Sequence, residues 1–252
     1  MNVKMLFIFA LHVLVSVFVE CYIHTRNPVS MSRTFTIEPV EQGDVEDIMK
    51  LLKKTFYIDE PLNSAVGLIA SENETCSELD EYCSHSLMEG LSFKAVDPEH
   101  NIVGVMISGV LPLKEEDDGT DLLSQAQRCK NPKFKKILYI LAQRETGAKL
   151  WEKFPQEQRL VEVKVAATDP GWRRLGIMND LLNTTEQATA QRNIRLIRMD
   201  TSSAYSAKSA ERFGFTCVYR ALYTDIKMDG RPIIVPEPPH VEDRVYVKKL
   251  FD

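Results

Sequence analysis

Beyond residue 33 the apolar positions fall into two alternating kinds of spacing. Over residues 34–40, Phe35 and Ile37 alternate with polar neighbours, as on a half-buried strand. Over 44–56, Val45, Ile48, Leu51, Leu52 and Phe56 recur at helical spacing. Asp59-Glu60-Pro61-Leu62-Asn63 breaks that pattern. A second helix is expected over 72–88, ended by Gly90. Strands are expected over 91–96 and 102–111, joined by the turn Asp97-Pro98-Glu99-His100-Asn101. Residues 112–133 are polar, with a short helix at 122–128. A longer helix over 134–152 carries Ile137, Leu138, Ile140, Leu141, Ala148 and Trp151. The spacing then predicts a strand over 159–167, with Leu160, Val161, Val163 and Val165, and a helix over 177–191, with Met178, Leu181, Leu182 and Ala188 on one face. A strand over 193–199, a helix over 203–213 ended by Gly214, and strands over 215–223 and 245–250 complete the pattern.

The β-α-β-α-β order over 159–223 argues for a mixed α/β sheet. With no internal repeat and no evident linker, one domain over 33–252 is the simplest division. Residues 1–32 differ. After Lys4, residues 6–19 are almost uninterruptedly apolar. The run is shorter than the roughly 20 residues that span a bilayer, and resembles the apolar core of a signal peptide. Three readings stay open for it: a signal-like segment or weak membrane anchor through residues 5–19, a dispensable extension, or a packed element.

The whole chain has 252 residues, 44% of them apolar, which fits an ordinary globular protein. With 36 acidic against 31 basic residues the formal charge is -5, so nothing points to nucleic acid as a partner. The five cysteines are irregularly spaced without a Cys-x-x-Cys pair, and read as core thiols. His12, His24, His85, His100 and His240 are too scattered to argue a metal site, and none is expected. Asn73 and Asn183 match the glycosylation pattern, which occurs often by chance.

The segment Thr168-Asp169-Pro170-Gly171-Trp172-Arg173-Arg174-Leu175-Gly176 joins a strand to a helix and carries glycines and arginines. Helix-start N–H groups and two cations make it a candidate phosphate site; an ordinary surface turn is the alternative. It is neither a Walker loop nor a dinucleotide fingerprint. The loop resembles the Arg/Gln-x-x-Gly-x-Gly/Ala acetyl-CoA loop of the GCN5-related N-acetyltransferases, on Arg173, Gly176 and Met178, with Met178 replacing the final small residue. Upstream, Asp59-Glu60-Pro61-Leu62-Asn63 is similar to the signature of insect arylalkylamine N-acetyltransferases. So are residues 87–97, 102–105 and 201–210, the last leading to Phe213-Gly214-Phe215. The resemblance runs from about residue 33 to the C-terminus. It implies a mixed, mostly antiparallel twisted sheet flanked by helices, with a splayed central strand pair. It also implies acetyl-CoA as cosubstrate, without a metal. Arg173, Arg174, Leu175, Gly176, Ile177 and Met178 would wrap the pyrophosphate. The strand at Val163 and Val165 would hold the pantetheine arm, and Tyr205 would pack beside or line the coenzyme channel.

Acetyl transfer to an alkylamine needs the neutral amine, so a proton must leave before attack; a carboxylate facing the acceptor serves. The resemblance gives this role to Glu60, and assigns Ser202 and Ser206 to the acceptor amine and leaving thiolate. Ser203 is the competitor for the first serine, and Ser202 also reads as a helix cap. The superfamily tyrosine that protonates the thiolate is replaced by Ala210. The implied reaction is direct transfer in a ternary complex to an arylalkylamine: dopamine, serotonin, octopamine, tyramine or tryptamine. The acceptor pocket is expected from residues 42–90 and 112–155. A longer acyl-CoA, a polyamine acceptor, or a non-catalytic coenzyme-binding protein are the alternatives. The expected state is a cytoplasmic monomer, with a membrane-tethered or secretory form as the alternative route for residues 5–19.

Overall fold

The computed structural model describes residues 34–71, 74–114 and 121–252. The strands are β1 (Thr36–Pro39), β2 (Phe93–Val96), β3 (Ile102–Pro112), β4 (Arg159–Thr168), β5 (Leu196–Thr201), β6 (Thr216–Leu222), β7 (Lys227–Met228), β8 (Arg231–Pro232) and β9 (Glu242–Lys249). Among the described residues, seven of them form one sheet in the order β1-β2-β3-β4-β5-β9-β6, and β7 and β8 make a separate hairpin. β4 and β5 run parallel, while the other neighbours in the sheet are antiparallel. The last strand in sequence, β9, slots between β5 and β6.

Two features of β4 shape everything that follows. It pairs with β5 only at Val161, Glu162 and Val163, after which the two strands part. On its other edge, the register against β3 slips between Ile107, opposite Val165, and Ser108, opposite Val163. Lys164 is therefore the extra residue of a β-bulge, which bends a strand and re-aims its side chains. The consequence is visible in the packing. Val161 and Val163 lie in one core, while Val165 and Ala167 lie in another, although strict alternation would put all four on one face.

Helices cover both faces. On one side lie α1 (Val45–Lys54), α2 (Phe56–Asp59), α3 (Pro61–Val66), α4 (Ser77–Ser84), α5 (Leu122–Arg128) and α6 (Pro132–Ala148). Ile48, Leu51, Leu79, Cys83 and Ile137 pack there with Ile107 and Val165. After α6 comes the short α7 (Leu150–Lys153). On the opposite side α8 (Ile177–Gln191) and α9 (Ala204–Arg212) bury Ile177, Leu181, Leu182, Ala207 and Ala210 against Val161 and Val163. Gly104 on β3 lets α8 approach: a Cβ there would sit 2.7 Å from Ile177 Cγ2.

Several sequence expectations need correcting. The helix expected over 72–88 is confined to Ser77–Ser84, because Cys76 is extended (φ -129, ψ 107). The helix expected over 44–56 breaks at Thr55 (φ -128, ψ -86), whose hydroxyl turns back onto the Leu51 carbonyl at 2.6 Å. Glu60-Pro61 does not merely interrupt the chain; it starts α3, with Pro61 in the first turn. The helix expected over 134–152 divides at Lys149, which is left-handed (φ 46). The strand expected over 193–199 is Leu196–Thr201, because Asn193 (φ 54) still belongs to the turn after α8. Residues Phe35–Asp252 form one compact unit. The apolar run at 6–19, His12, His24, Cys21 and Asn73 lie outside the described residues. Among the described residues no helix is long and apolar enough to cross a membrane.

Candidate functional site

Glu60 occupies the kink between α2 and α3. Extended backbone there (φ -69, ψ 127) lets its side chain cap α3, accepting from the Asn63 N–H at 2.7 Å. The other carboxylate oxygen, Oε1, accepts from Ser202 Oγ at 2.5 Å, across 142 residues of sequence. Burial pushes the Glu60 carboxyl up from its ordinary value; the Ser202 hydroxyl, the Asn63 and Leu62 N–H groups and Arg144 oppose that rise. Ser202 sits just past the end of β5. Its carbonyl accepts from the phenol of Tyr223, a fully buried side chain, at 3.0 Å. The helix cap is Ser203, not Ser202: Ser203 Oγ accepts from the Tyr205 N–H at 3.1 Å. That frees Ser202 to face Glu60. Ser206, one turn into α9, donates to the Ser203 carbonyl at 2.9 Å.

Two spaces meet at this pair. An inner cavity is walled by Phe56, Leu62, Leu79, Tyr82, Phe134 and Ile137, with Glu60, Arg144, Glu162, Lys164, Asp200 and Ser202 supplying polar groups. Its walls come from the 42–90 and 112–155 regions together with β4 and β5. Beneath it lies a buried ion cluster. Arg144 from α6 reaches Asp243 (Nε to Oδ2, 2.9 Å) and Asp200 (3.1 Å). Arg198 grips Asp200 through two contacts of 2.8 Å and reaches Glu145 at 2.5 Å. Burial alone would raise the Asp200 carboxyl, but the Arg198 and Arg144 guanidinium groups more than offset this and hold it below the usual range. Burial keeps the Glu162 carboxyl raised, against the pull of Arg198, 3.8 Å away, and of Lys164. Burial likewise pushes the Tyr82 phenol up.

The outer space is a groove that opens where β4 and β5 part. Beyond Val163, the β5-facing edge of β4 has no ladder partner, so its N–H and C=O groups are presented to the groove. Val163, Lys164, Ala166, Ala167 and Thr168 line it from the strand; Arg173, Arg174, Gly176, Ile177 and Met178 from the loop; Tyr205, Ser206 and Arg212 from α9. The loop follows its sequence closely. Asp169 accepts from the Gly171 N–H at 2.9 Å, and Arg174 (φ 67) and Gly176 (φ 91) take left-handed backbone before α8 begins. No side chain caps α8, so its first N–H groups are left for a partner from the groove. The loop is also tied to the α1–α2 side: Arg173 pairs with Asp59 at 2.7 Å, and Lys54 with Asp169 at 2.5 Å.

Of the residues singled out from sequence, Glu60, Ser202 and Ser206 line the groove together, with Val163, Arg173, Arg174, Gly176, Ile177, Met178 and Tyr205. Leu175 and Val165 do not line it. The Leu175 side chain is exposed on the outside of the loop, and the bulge at Lys164 turns Val165 into the core beneath α1 and α4. Met178 packs partly against the core under α8, which lets a long side chain follow Gly176. Sequence reasoning missed Lys164, Arg144, Glu162, Asp200 and Tyr82. The first depends on a bulge, and the others on contacts between distant segments.

A mostly antiparallel sheet with one parallel, splayed central pair, helices on both faces, and a strand–loop–helix turn with an uncapped helix start at the splay is the fold of the GCN5-related N-acetyltransferases. No protein-family model matches the chain. The structure superposes on arylalkylamine N-acetyltransferase 2 from Aedes aegypti with a TM-score of 0.80 at 24% identity, covering 86% of this chain and 100% of that one. It superposes on a Drosophila melanogaster polyamine N-acetyltransferase that forms N-acetylagmatine with a TM-score of 0.75 at 23% identity, covering 86% and 100%. The C-terminal condensation domain of Ebony, solved with β-alanyl-dopamine, gives a TM-score of 0.65 at 11% identity, covering 86% and 98%.

Proposed function

We propose that this chain transfers the acetyl group of acetyl-CoA to the primary amine of an arylalkylamine, by direct attack in a ternary complex. The observation that carries this reading is the Glu60–Ser202 pair, standing where a groove suited to a coenzyme meets a cavity suited to an aromatic amine. Acetyl-CoA fits what the groove offers. The uncapped start of α8, with Arg173 and Arg174, suits a pyrophosphate, and the unpaired edge of β4 suits an amide-bearing pantetheine arm. An N–H of that edge would meet the negative charge developing on the thioester carbonyl. The apolar walls of the inner cavity match a ring.

Glu60 takes the role of general base. Its raised pKa brings a carboxylate closer to the range where it accepts a proton from an alkylammonium or its attacking amine. Ser202 keeps it oriented. A second reading, a polyamine or other dicationic acceptor, is favoured by Glu162, a carboxylate in the inner cavity whose ion pair with Arg198 is long, at 3.8 Å. The domain over 33–252 is then the transferase, a cytoplasmic monomer, and residues 1–32 an extension outside it.

The test is a panel of arylalkylamines and polyamines incubated with purified protein and acetyl-CoA, read by thiol release. Turnover strongest with arylalkylamines is expected. Coenzyme binding without turnover of any amine would sink the proposal, and preference for agmatine or spermidine would move it to the second reading. Imaging the full chain beside one that starts at Arg33 reports whether residues 1–32 carry an address.

A further inference from the structure

The departing sulfur poses a problem that the residues considered so far do not solve. Position 210, where the wider superfamily carries a proton-donating tyrosine, is a fully buried alanine. Both serine hydroxyls at the junction already have acceptors: Ser202 donates to Glu60, and Ser206 to the Ser203 carbonyl. Charge on the sulfur must be met some other way.

Among the described residues, one cation lines both the groove and the inner cavity, and it is Lys164. Arg144 lines the cavity alone, and Arg173, Arg174 and Arg212 the groove alone. Lys164 is the bulged residue of β4, at the point where β4 has just left β5, so the bulge itself aims this side chain at the junction. Its surroundings differ from those of its cationic neighbours. Arg144 and Arg198 are gripped by carboxylates at hydrogen-bonding distance, whereas the Lys164 ammonium feels the Glu162 carboxylate, two residues back on β4, only through space. A half-buried ammonium that no carboxylate holds in a hydrogen bond, between a coenzyme groove and an acceptor cavity, is suited to a transient anion.

We infer that Lys164 is a catalytic residue whose ammonium offsets the negative charge on the coenzyme A sulfur as the thioester breaks. The inference rests on the acetyl-transfer reading above. The amine nitrogen bonds to the thioester carbonyl carbon, and one proton of that nitrogen passes to Glu60. The carbon–sulfur bond breaks with its electron pair on sulfur, and the thiolate pairs with the Lys164 ammonium. The thiolate then takes up the proton held by Glu60, by way of solvent. Amide and thiol leave with both side chains in their starting charge states.

The binary complex of the full chain with coenzyme A tests this without any acceptor. The ultraviolet absorbance of the thiolate, followed through a pH titration as a difference spectrum, reports the pKa of the bound thiol. In the unaltered protein it should lie about one unit below that of free coenzyme A. Lys164→Met should return it to the free value or above, and Lys164→Arg should keep most of the depression. A bound thiol that titrates alike in the parent and Lys164→Met proteins overturns the inference. In turnover, Lys164→Met should lower kcat about tenfold with the coenzyme KM changed less than about twofold, and Lys164→Arg should restore most of it. A loss confined to the coenzyme KM would make Lys164 a phosphate ligand and overturn the inference as well. Absence of turnover in the parent protein would count against acetyl transfer, while the thiol titration would still decide on Lys164.

Discussion

The groove and the inner cavity share a boundary at Glu60 and Ser202, yet they are built in opposite ways. The groove owes its character to a nearly continuous stretch, from β4 through the loop to the first turn of α8. Backbone does most of the work there: an unpaired strand edge, left-handed residues at Arg174 and Gly176, and a helix start without a cap. The cavity owes its character to side chains brought from far apart. Arg144 and Asp243 are 99 residues apart in sequence, Arg144 and Asp200 56 apart, and Glu60 and Ser202 142 apart. The groove is rimmed with arginine, whereas the cavity gathers carboxylates around two guanidinium groups that are already engaged. On the proposed reading, a polyanionic cosubstrate and a cationic acceptor would be separated by the electrostatics of the two spaces before any reaction.

If the cavity depends on its buried ions, disturbing them should have the largest effect on the molecule. Arg144→Met leaves Asp243, which is fully buried, without its main cation. Breaking such a pair typically costs about 3–5 kcal/mol, and urea unfolding of the variant should show a loss of that order. The sign with pH is fixed by Asp200. Its folded pKa is depressed, so its contribution is present above the ordinary carboxylate range and disappears as the pH falls through the lowered value. Arg144→Met should therefore lose less stability on acidification than the parent does. A variant as stable as the parent would mean that the cavity floor is not held by these charges.

At the boundary itself, Glu60→Ala should lower kcat/KM about a hundredfold to a thousandfold near neutral pH, with a smaller loss at high pH, where more amine is already neutral. Glu60→Gln separates the base from the helix cap, since its amide can still accept from the Asn63 N–H. A pH–rate profile unchanged by Glu60→Gln would remove Glu60 from the proton transfer. Ser202→Ala should act in a graded way. The Ser202 hydroxyl lowers the Glu60 pKa, so its removal raises that pKa further and moves the acid limb of kcat/KM to higher pH. An acid limb that stays in place, or moves down, would mean that the 2.5 Å contact is not made during turnover.

The same contrast explains what could be read in the sequence. The loop at 168–176 was legible because strand, turn residues, glycine and helix follow one another, and each has a local signature. Most elements were legible from their periodicity. The misreadings have local causes too: Thr55 and Lys149 leave helical geometry within runs whose apolar spacing continues across them. The face reversal along β4 was not legible. Val161, Val163, Val165 and Ala167 alternate regularly with other residues, and only the register against β3 shows that Lys164 is extra and that the last two belong to a different core. The cavity's ion cluster had no local signal at all, because no segment contains both halves of the Arg144 pairs. Glu60, Ser202 and Ser206 became candidates through resemblance, and what the structure adds is the contact between the first two: Ser203 takes the cap and leaves Ser202 turned to Glu60.

The mildest test addresses the groove. Gly176 is left-handed (φ 91), and a Cβ placed on it meets nothing within 4 Å. Gly176→Ala therefore costs only the backbone preference, about 1–2 kcal/mol, with no collision to confuse it. Relaxation of that strain would tilt the first N–H groups of α8 away from the opening, so coenzyme affinity measured by calorimetry should fall by up to about tenfold. The acceptor KM should stay within about twofold, since no residue of the loop lines the inner cavity. If Gly176→Ala raised the acceptor KM as much as it weakened coenzyme binding, the two spaces would have to be one mechanical unit. The Arg173–Asp59 and Lys54–Asp169 pairs, which tie the loop to the α1–α2 side, would then be the connection to cut next.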